Sequence, residues 1–173
     1  SDFVGHEVLI GPGMGDNAGA ARGLDLKPGM FAVSLGTSGT VFGSSITGSA
    51  DLSGLIAGFA DATGEFLPLV CALNAARVIE WGASLLGVNL EEFGQLAQSA
   101  KSGAGGMKLT PYLEGERTPN LPDATGSLEG ITLDNGSREN FARACIEGML
   151  RSLANGSNLI SEAGHSITSI SLI

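Results

Sequence analysis

The sequence predicts an α/β domain, an antiparallel β-meander followed by alternating helices and strands in a mixed sheet. Up to about residue 70, short apolar runs alternate with turns of Gly, Ser and Thr. Beyond that point apolar residues recur at helical spacing, and strand-like runs separate the helical ones. The length, 173 residues, suits one domain with its own core. No internal repeat is visible.

Residues 8–10 are a short apolar run that reads as a strand. A glycine cluster over 11–15 turns the chain into a small-residue helix over 18–22, capped by Asp16 or Asn17, with Gly23 as its stop. Lys27, Pro28 and Gly29 form a turn. Residues 30–35 and 40–44 make a hairpin around Gly36, Thr37, Ser38 and Gly39. A second pair, 55–60 and 65–70, flanks Ala62, Thr63 and Gly64. A helix is expected over 73–86, and Asn89 caps another over 90–100. Residues 107–113 read as a strand, and a polar loop runs from Glu114 to about Gly126. Ser137 caps a helix whose apolar face is Phe141, Ala144, Cys145, Met149 and Leu153, and Asn155 with Gly156 is expected to end or kink it. Residues 167–173 read as a last strand.

Composition narrows the function. Hydrophobic residues make up 43% and charged residues 16%, as in a globular protein, and 27 Gly with 6 Pro stay below a low-complexity share. Lys and Arg number only 9 and are scattered, in a chain of net charge −9, so nucleic acid is not an expected partner. Cys71 and Cys145 sit in apolar stretches and read as reduced core thiols, although a disulfide between them is open. No signal peptide or bilayer-spanning apolar run is visible, which points to a cytoplasmic protein with no membrane partner. His6, His165 and the two Cys lack metal-ligand spacing, so no metal site is expected.

Three segments carry chemistry. Asp16 follows the glycines at a helix start, where the helix dipole favours an ionised carboxylate fit to act as a base. On the residues alone an ordinary helix cap is the better reading, since capping Asp is common. Gly36, Thr37, Ser38 and Gly39 could aim N–H groups and hydroxyls at phosphate oxygens. They could also be a plain β-turn, and the run is neither a P-loop nor a nucleophile elbow. The loop through Glu114, Glu116, Arg117, Thr118 and Pro119 could meet a ligand. Folding on itself through Arg117 and a glutamate is the preferred reading. Trp81 reads as a core residue.

Taken in order, GMGDNAGAARGL, KPGMFAVSLGTSGTVF, LNAARVIEW, PYLEGERTPN and GSLEGI, then the helix over 138–150, resemble the second domain of the FGGY carbohydrate kinases. The resemblance covers nearly the whole chain from about Glu7. It implies an actin-like ATPase (ribonuclease H-like) domain and an enzyme using ATP and Mg²⁺. It implies that the catalytic aspartate is Asp16, that Asn17 touches the sugar, that Gly36, Thr37, Ser38 and Gly39 clasp the phosphates, and that Asn74 lies near the nucleotide. SLGTSGTVF and GDNAGAA are most similar to the xylulokinases, which implies D-xylulose as acceptor, with gluconate, ribulose and glycerol kinases as near relatives. Cys145 departs from the family's aliphatic, Ser or Thr residue. The family's first domain and its glycine-rich adenosine loop are expected to lie outside residues 1–173, leaving the fragment alone inactive. A sugar-independent actin-like ATPase is the alternative. An open sheet edge at the last strand offers a route to a homodimer.

Overall fold

The computed structural model describes Gly11 and residues 13–173. The strand expected over 8–10, together with His6, lies outside the described residues. The elements are α1 Asp16–Gly23, β1 Met30–Leu35, β2 Gly39–Gly43, β3 Ala57–Ala60, β4 Phe66–Ala72, α2 Ala76–Leu86, α3 Leu90–Ser99, β5 Lys108–Thr110, β6 Ser127–Glu129, α4 Arg138–Glu162 and β7 Ser169–Leu172.

Five strands form one sheet in the order β3-β4-β2-β1-β7. β1, β2, β4 and β3 pair antiparallel, and β7 joins β1 in parallel, with Met30 opposite Ser169 and Val33 opposite Leu172. The sheet is therefore mixed, as expected. The turn between β3 and β4 is tied by Asp61, whose carboxylate accepts from the Thr63 and Glu65 N–H groups and the Thr63 hydroxyl.

Side chains alternate across the strands, so neighbours serve opposite faces. Ala32, Phe42, Leu67 and Leu69 pack on one face with Ala21 of α1 and Leu26. Phe31, Val41, Val70 and Ala72 pack on the other with Leu153 and Ile160 of α4. A third cluster joins α2, α3 and α4 through Val78, Phe93, Ala97, Cys145 and Met149. Phe93 is fully buried there, a contribution of about 1.5–3 kcal/mol.

Several boundaries differ from the sequence expectation, each for a physical reason. The N-cap of α1 is Gly15, and Asp16 is its first helical residue. α2 begins at Ala76, because Ala75 lies off helical geometry, at φ −120° and ψ −109°, while the Leu73 N–H and the Asn74 side chain are held by Glu116. α4 runs unbroken past Asn155 and Gly156. Gly156 is buried, and a Cβ there would sit 3.0 Å from Val70 Cγ1, so glycine serves close helix–sheet packing rather than a helix end. The strand expected over 107–113 is only Lys108–Thr110, and it pairs with β6 in a separate two-stranded sheet. Asn89 and Ser137 do cap α3 and α4, accepting from the Glu92 and Asn140 N–H groups.

Candidate functional site

α1 presents Asp16 at its exposed N-terminus, on the sheet face lined by Leu67 and Leu69. Asp16 Oδ1 accepts from the Asn17 N–H at 2.8 Å and from Asn17 Nδ2 at 3.3 Å. Among the described residues nothing donates to Oδ2. The carboxylate lines a cavity of about 170 Å³ with Asn17, Phe59, Ala60 and Leu67. It thus has a free oxygen, a helix N-terminus behind it and an apolar wall opposite.

The hairpin tip is held from behind. The Gly36 carbonyl accepts from the Ala76 N–H at 2.9 Å and the Thr37 carbonyl from the Ala75 N–H at 3.3 Å. These peptides are trans, so each plane that turns its C=O toward α2 turns its N–H away. The Thr37 and Ser38 amides therefore face away from α2, and among the described residues neither meets a protein acceptor. Successive outward amides at a glycine-rich tip form a concavity suited to an anion. Gly39 is buried against Leu153 and Ala75 and lets the tip seat closely.

The charged loop is folded onto the domain, though not through Arg117 as expected. Glu114 pairs with Arg77 of α2. Glu116 is 1% exposed, and its Oε1 accepts from the Leu73 N–H at 2.6 Å and the Arg117 N–H at 2.7 Å. Glu116 Oε2 accepts from Asn74 Nδ2 at 3.0 Å. Asn74 is fully buried, also donates to the Gly115 carbonyl at 2.7 Å, and leaves Oδ1 without a partner. The Arg117 side chain is exposed and, among the described residues, makes no ion pair. Burial pushes the Cys71 thiol up, the Arg117 guanidinium beside it draws it down, and Glu116 adds to the rise.

Asp16 and Asn17 share one cavity, whereas residues 36–39 and Asn74 stand at the far end of β4, so the expected residues form two groups. Sequence reasoning missed Phe59, which looks like any strand aromatic, and Glu116 as a buried hub. Away from these groups, His165 is buried, with Nδ1 2.9 Å from Ser45 Oγ and Nε2 2.8 Å from Ser49 Oγ. Burial holds its imidazole below the usual 6.5. Cys71 and Cys145 are free thiols, and burial pushes Cys145 up to about 12. Among the described residues no three His, Cys, Asp or Glu side chains converge as a metal cage, and no helix is long and apolar enough to cross a membrane.

The model of the C-terminal domain of the FGGY family of carbohydrate kinases matches residues 31–173. The chain is 42% identical over 156 residues to the xylulose kinase of Streptomyces coelicolor, covering 90% of this chain and 31% of that protein. It is 36% identical over 169 residues to the xylulose kinase of Haemophilus influenzae, covering 97% and 34%. The crystal structure of xylulose kinase from Bifidobacterium adolescentis superposes with a TM-score of 0.89 at 48% identity, over 94% of this chain and 32% of that one. The chain spans about a third of the length of the curated relatives it matches.

Proposed function

The chain belongs to the FGGY family of carbohydrate kinases, and on that premise we propose that it is the ATP-binding, catalytic-base domain of a kinase acting on a ketose, D-xylulose first. Asp16 carries the reading: a carboxylate with a free oxygen, at a helix N-terminus, open to a small cavity with Phe59 opposite.

Asp16 takes the proton of the sugar hydroxyl as that oxygen attacks the γ-phosphorus in line and ADP leaves. The hydroxyl loses its proton only as the P–O bond forms, so a carboxylate oxygen positioned to accept it is what the step requires. Asn17 holds Asp16 in place through its N–H and Nδ2 and is the candidate for a sugar contact. Phe59 gives the sugar's C–H face an apolar wall. The outward Thr37 and Ser38 amides hold phosphate oxygens, and Asn74 lies beneath the segment that braces them. Mg²⁺ would come with the nucleotide and neutralise phosphate charge. The remaining sugar and adenine contacts are assigned to sequence outside residues 1–173.

The test is sugar-dependent ADP release by the full-length protein carrying this domain, with a panel of ketoses and polyols. Asp16→Ala should lower kcat by about 10²–10⁴, the usual worth of a positioned base, and leave ATP affinity nearly intact. A variant that keeps its turnover removes Asp16 from the base role. ATP turnover indifferent to every sugar overturns the kinase reading in favour of an ATPase.

A further inference from the structure

We propose that the Arg117 guanidinium contacts the phosphoryl group being transferred, and that Glu116 is the positioning residue that sets it there. This rests on the reading of Asp16 as base and residues 36–39 as phosphate clasp.

One positive charge on the loop is unused. Phosphoryl transfer places negative charge on equatorial oxygens, and the protein's main task is to meet it with fixed positive groups. Arg77 of α2 is taken by Glu114. Arg117 is exposed and, among the described residues, has no carboxylate partner, although two glutamates lie within three positions of it. Both are committed elsewhere, Glu114 to Arg77 and Glu116 to backbone N–H groups and Asn74.

The sheet locates that charge. Leu67 lines the Asp16 cavity, and Leu67, Leu69 and Cys71 follow at strand period on the face that carries α1. Cys71 pairs with Thr40, and Ala72 pairs with Gly39 at the foot of the clasp. Four residue steps along the strand lead from Leu67 to Cys71, about 13 Å. Glu116 Oε1 ties the Arg117 N–H to the Leu73 N–H, two residues past Cys71, so Arg117 springs from the clasp end of β4. Its guanidinium is near enough to draw down the Cys71 thiol, on the face that Cys71 shares with α1.

Glu116 explains why it stays there. One oxygen of its buried carboxyl holds the Arg117 N–H and the Leu73 N–H, which fixes the Arg117 backbone to the end of β4. Its other oxygen holds Asn74, one residue before the pair that braces the clasp carbonyls. The same hub thus registers the cation and the clasp against each other. A guanidinium suits the task because its planar fork presents paired N–H groups to phosphate oxygens.

The experiment measures sugar-dependent ADP release by the full-length protein as Arg117→Ala, Arg117→Lys, Glu116→Gln and Asp16→Asn, with KM for ATP and sugar and the melting temperature of each. Arg117→Ala is expected to lower kcat by about 10²-fold or more with sugar KM within about twofold. Added guanidinium should recover at least about tenfold of that loss, and Arg117→Lys should recover part of it. Glu116→Gln keeps one acceptor oxygen for the two backbone N–H groups and should fall between wild type and Arg117→Ala. An Arg117→Ala enzyme within about threefold of wild-type kcat overturns the proposal, as does a loss that neither Lys nor guanidinium restores. Asp16→Asn separates the two failures. If it collapses turnover while Arg117→Ala does not, only the arginine role falls. If it keeps turnover, the kinase-base reading itself is wrong.

Discussion

Gly39→Ala tests how the hairpin tip is seated. A Cβ at Gly39 would lie 2.6 Å from Leu153 Cδ2 and 3.1 Å from Ala75 Cβ, with Leu153 Cδ1 at 3.5 Å. Leu153 is 3% exposed in the core beneath β1 and β2, so its methyls have little room to retreat. Overpacking of this kind costs about 1–3 kcal/mol. Gly39 does not occupy the left-handed region, so alanine returns about 0.5–1 kcal/mol of backbone entropy. The expected net loss is about 1.5 kcal/mol, or about 3–6 °C in Tm for a domain of this size. Leu153→Ala should itself cost about 2–5 kcal/mol. In that background the new methyl fills vacated space, so Gly39→Ala should become neutral or stabilising, a coupling of about 1.5–2 kcal/mol. Urea unfolding of the four members of the cycle, compared at constant m-value, measures this. Additive effects of the two substitutions would refute the reasoning, because they would mean that Leu153 does not set the seat of the tip.

Gly115→Ala should destabilise by at least about 2 kcal/mol with no second-site relief from a side chain, since its φ is +75° and its Cβ would overlap the Pro122 carbonyl; a fall in urea midpoint checks it. Stability should fall as pH drops below about 6.5, because burial lowers the His165 pKa, so the unfolded chain takes up the proton first. That contribution is complete above 6.5 and is lost as pH falls through 6.5 toward the lowered folded value. His165→Gln should flatten this part of the profile, and an unchanged slope would exclude His165 as its source. Native Cys145, with its thiol pushed up to about 12 and fully buried, should resist alkylation at neutral pH until the chain is unfolded in urea, as mass spectrometry of the labelled protein would record.

Much of the fold was legible because local chemistry and tertiary structure agreed. The first hairpin announces itself through Gly36, Thr37, Ser38 and Gly39 between apolar runs, and the Asn89 and Ser137 caps function as their residue types suggest. Legibility failed where packing overrode local preference. Asn155 with Gly156 resembles a helix end, yet Gly156 is set by the approach of Val70 and Val41. β6 has one half-buried residue, Leu128, between exposed Ser127 and Glu129, so no period could reveal it. At the candidate site, Asp16 and the tip were visible as glycine-flanked polar residues. The Arg77–Glu114 pair, 37 positions apart, was not, because partner choice among charges is a property of the folded loop. Phe59 was hidden for a similar reason, since only the pairing of β3 with β4 brings it to Asp16.

The parallel pairing of β7 with β1 has a consequence for synthesis on the ribosome. Met30 meets Ser169 only after 139 further residues have been translated, which at about 5–20 residues per second takes roughly 7–28 s. Through that interval β2 can already cover one edge of β1, with β4 paired on the far side of β2, because both strands emerge early. The other side keeps a row of unpaired N–H and C=O groups beside the apolar Phe31 and Val33. A nascent chain stalled before residue 169 would carry that open edge indefinitely, which makes it the surface a holding chaperone would cover first.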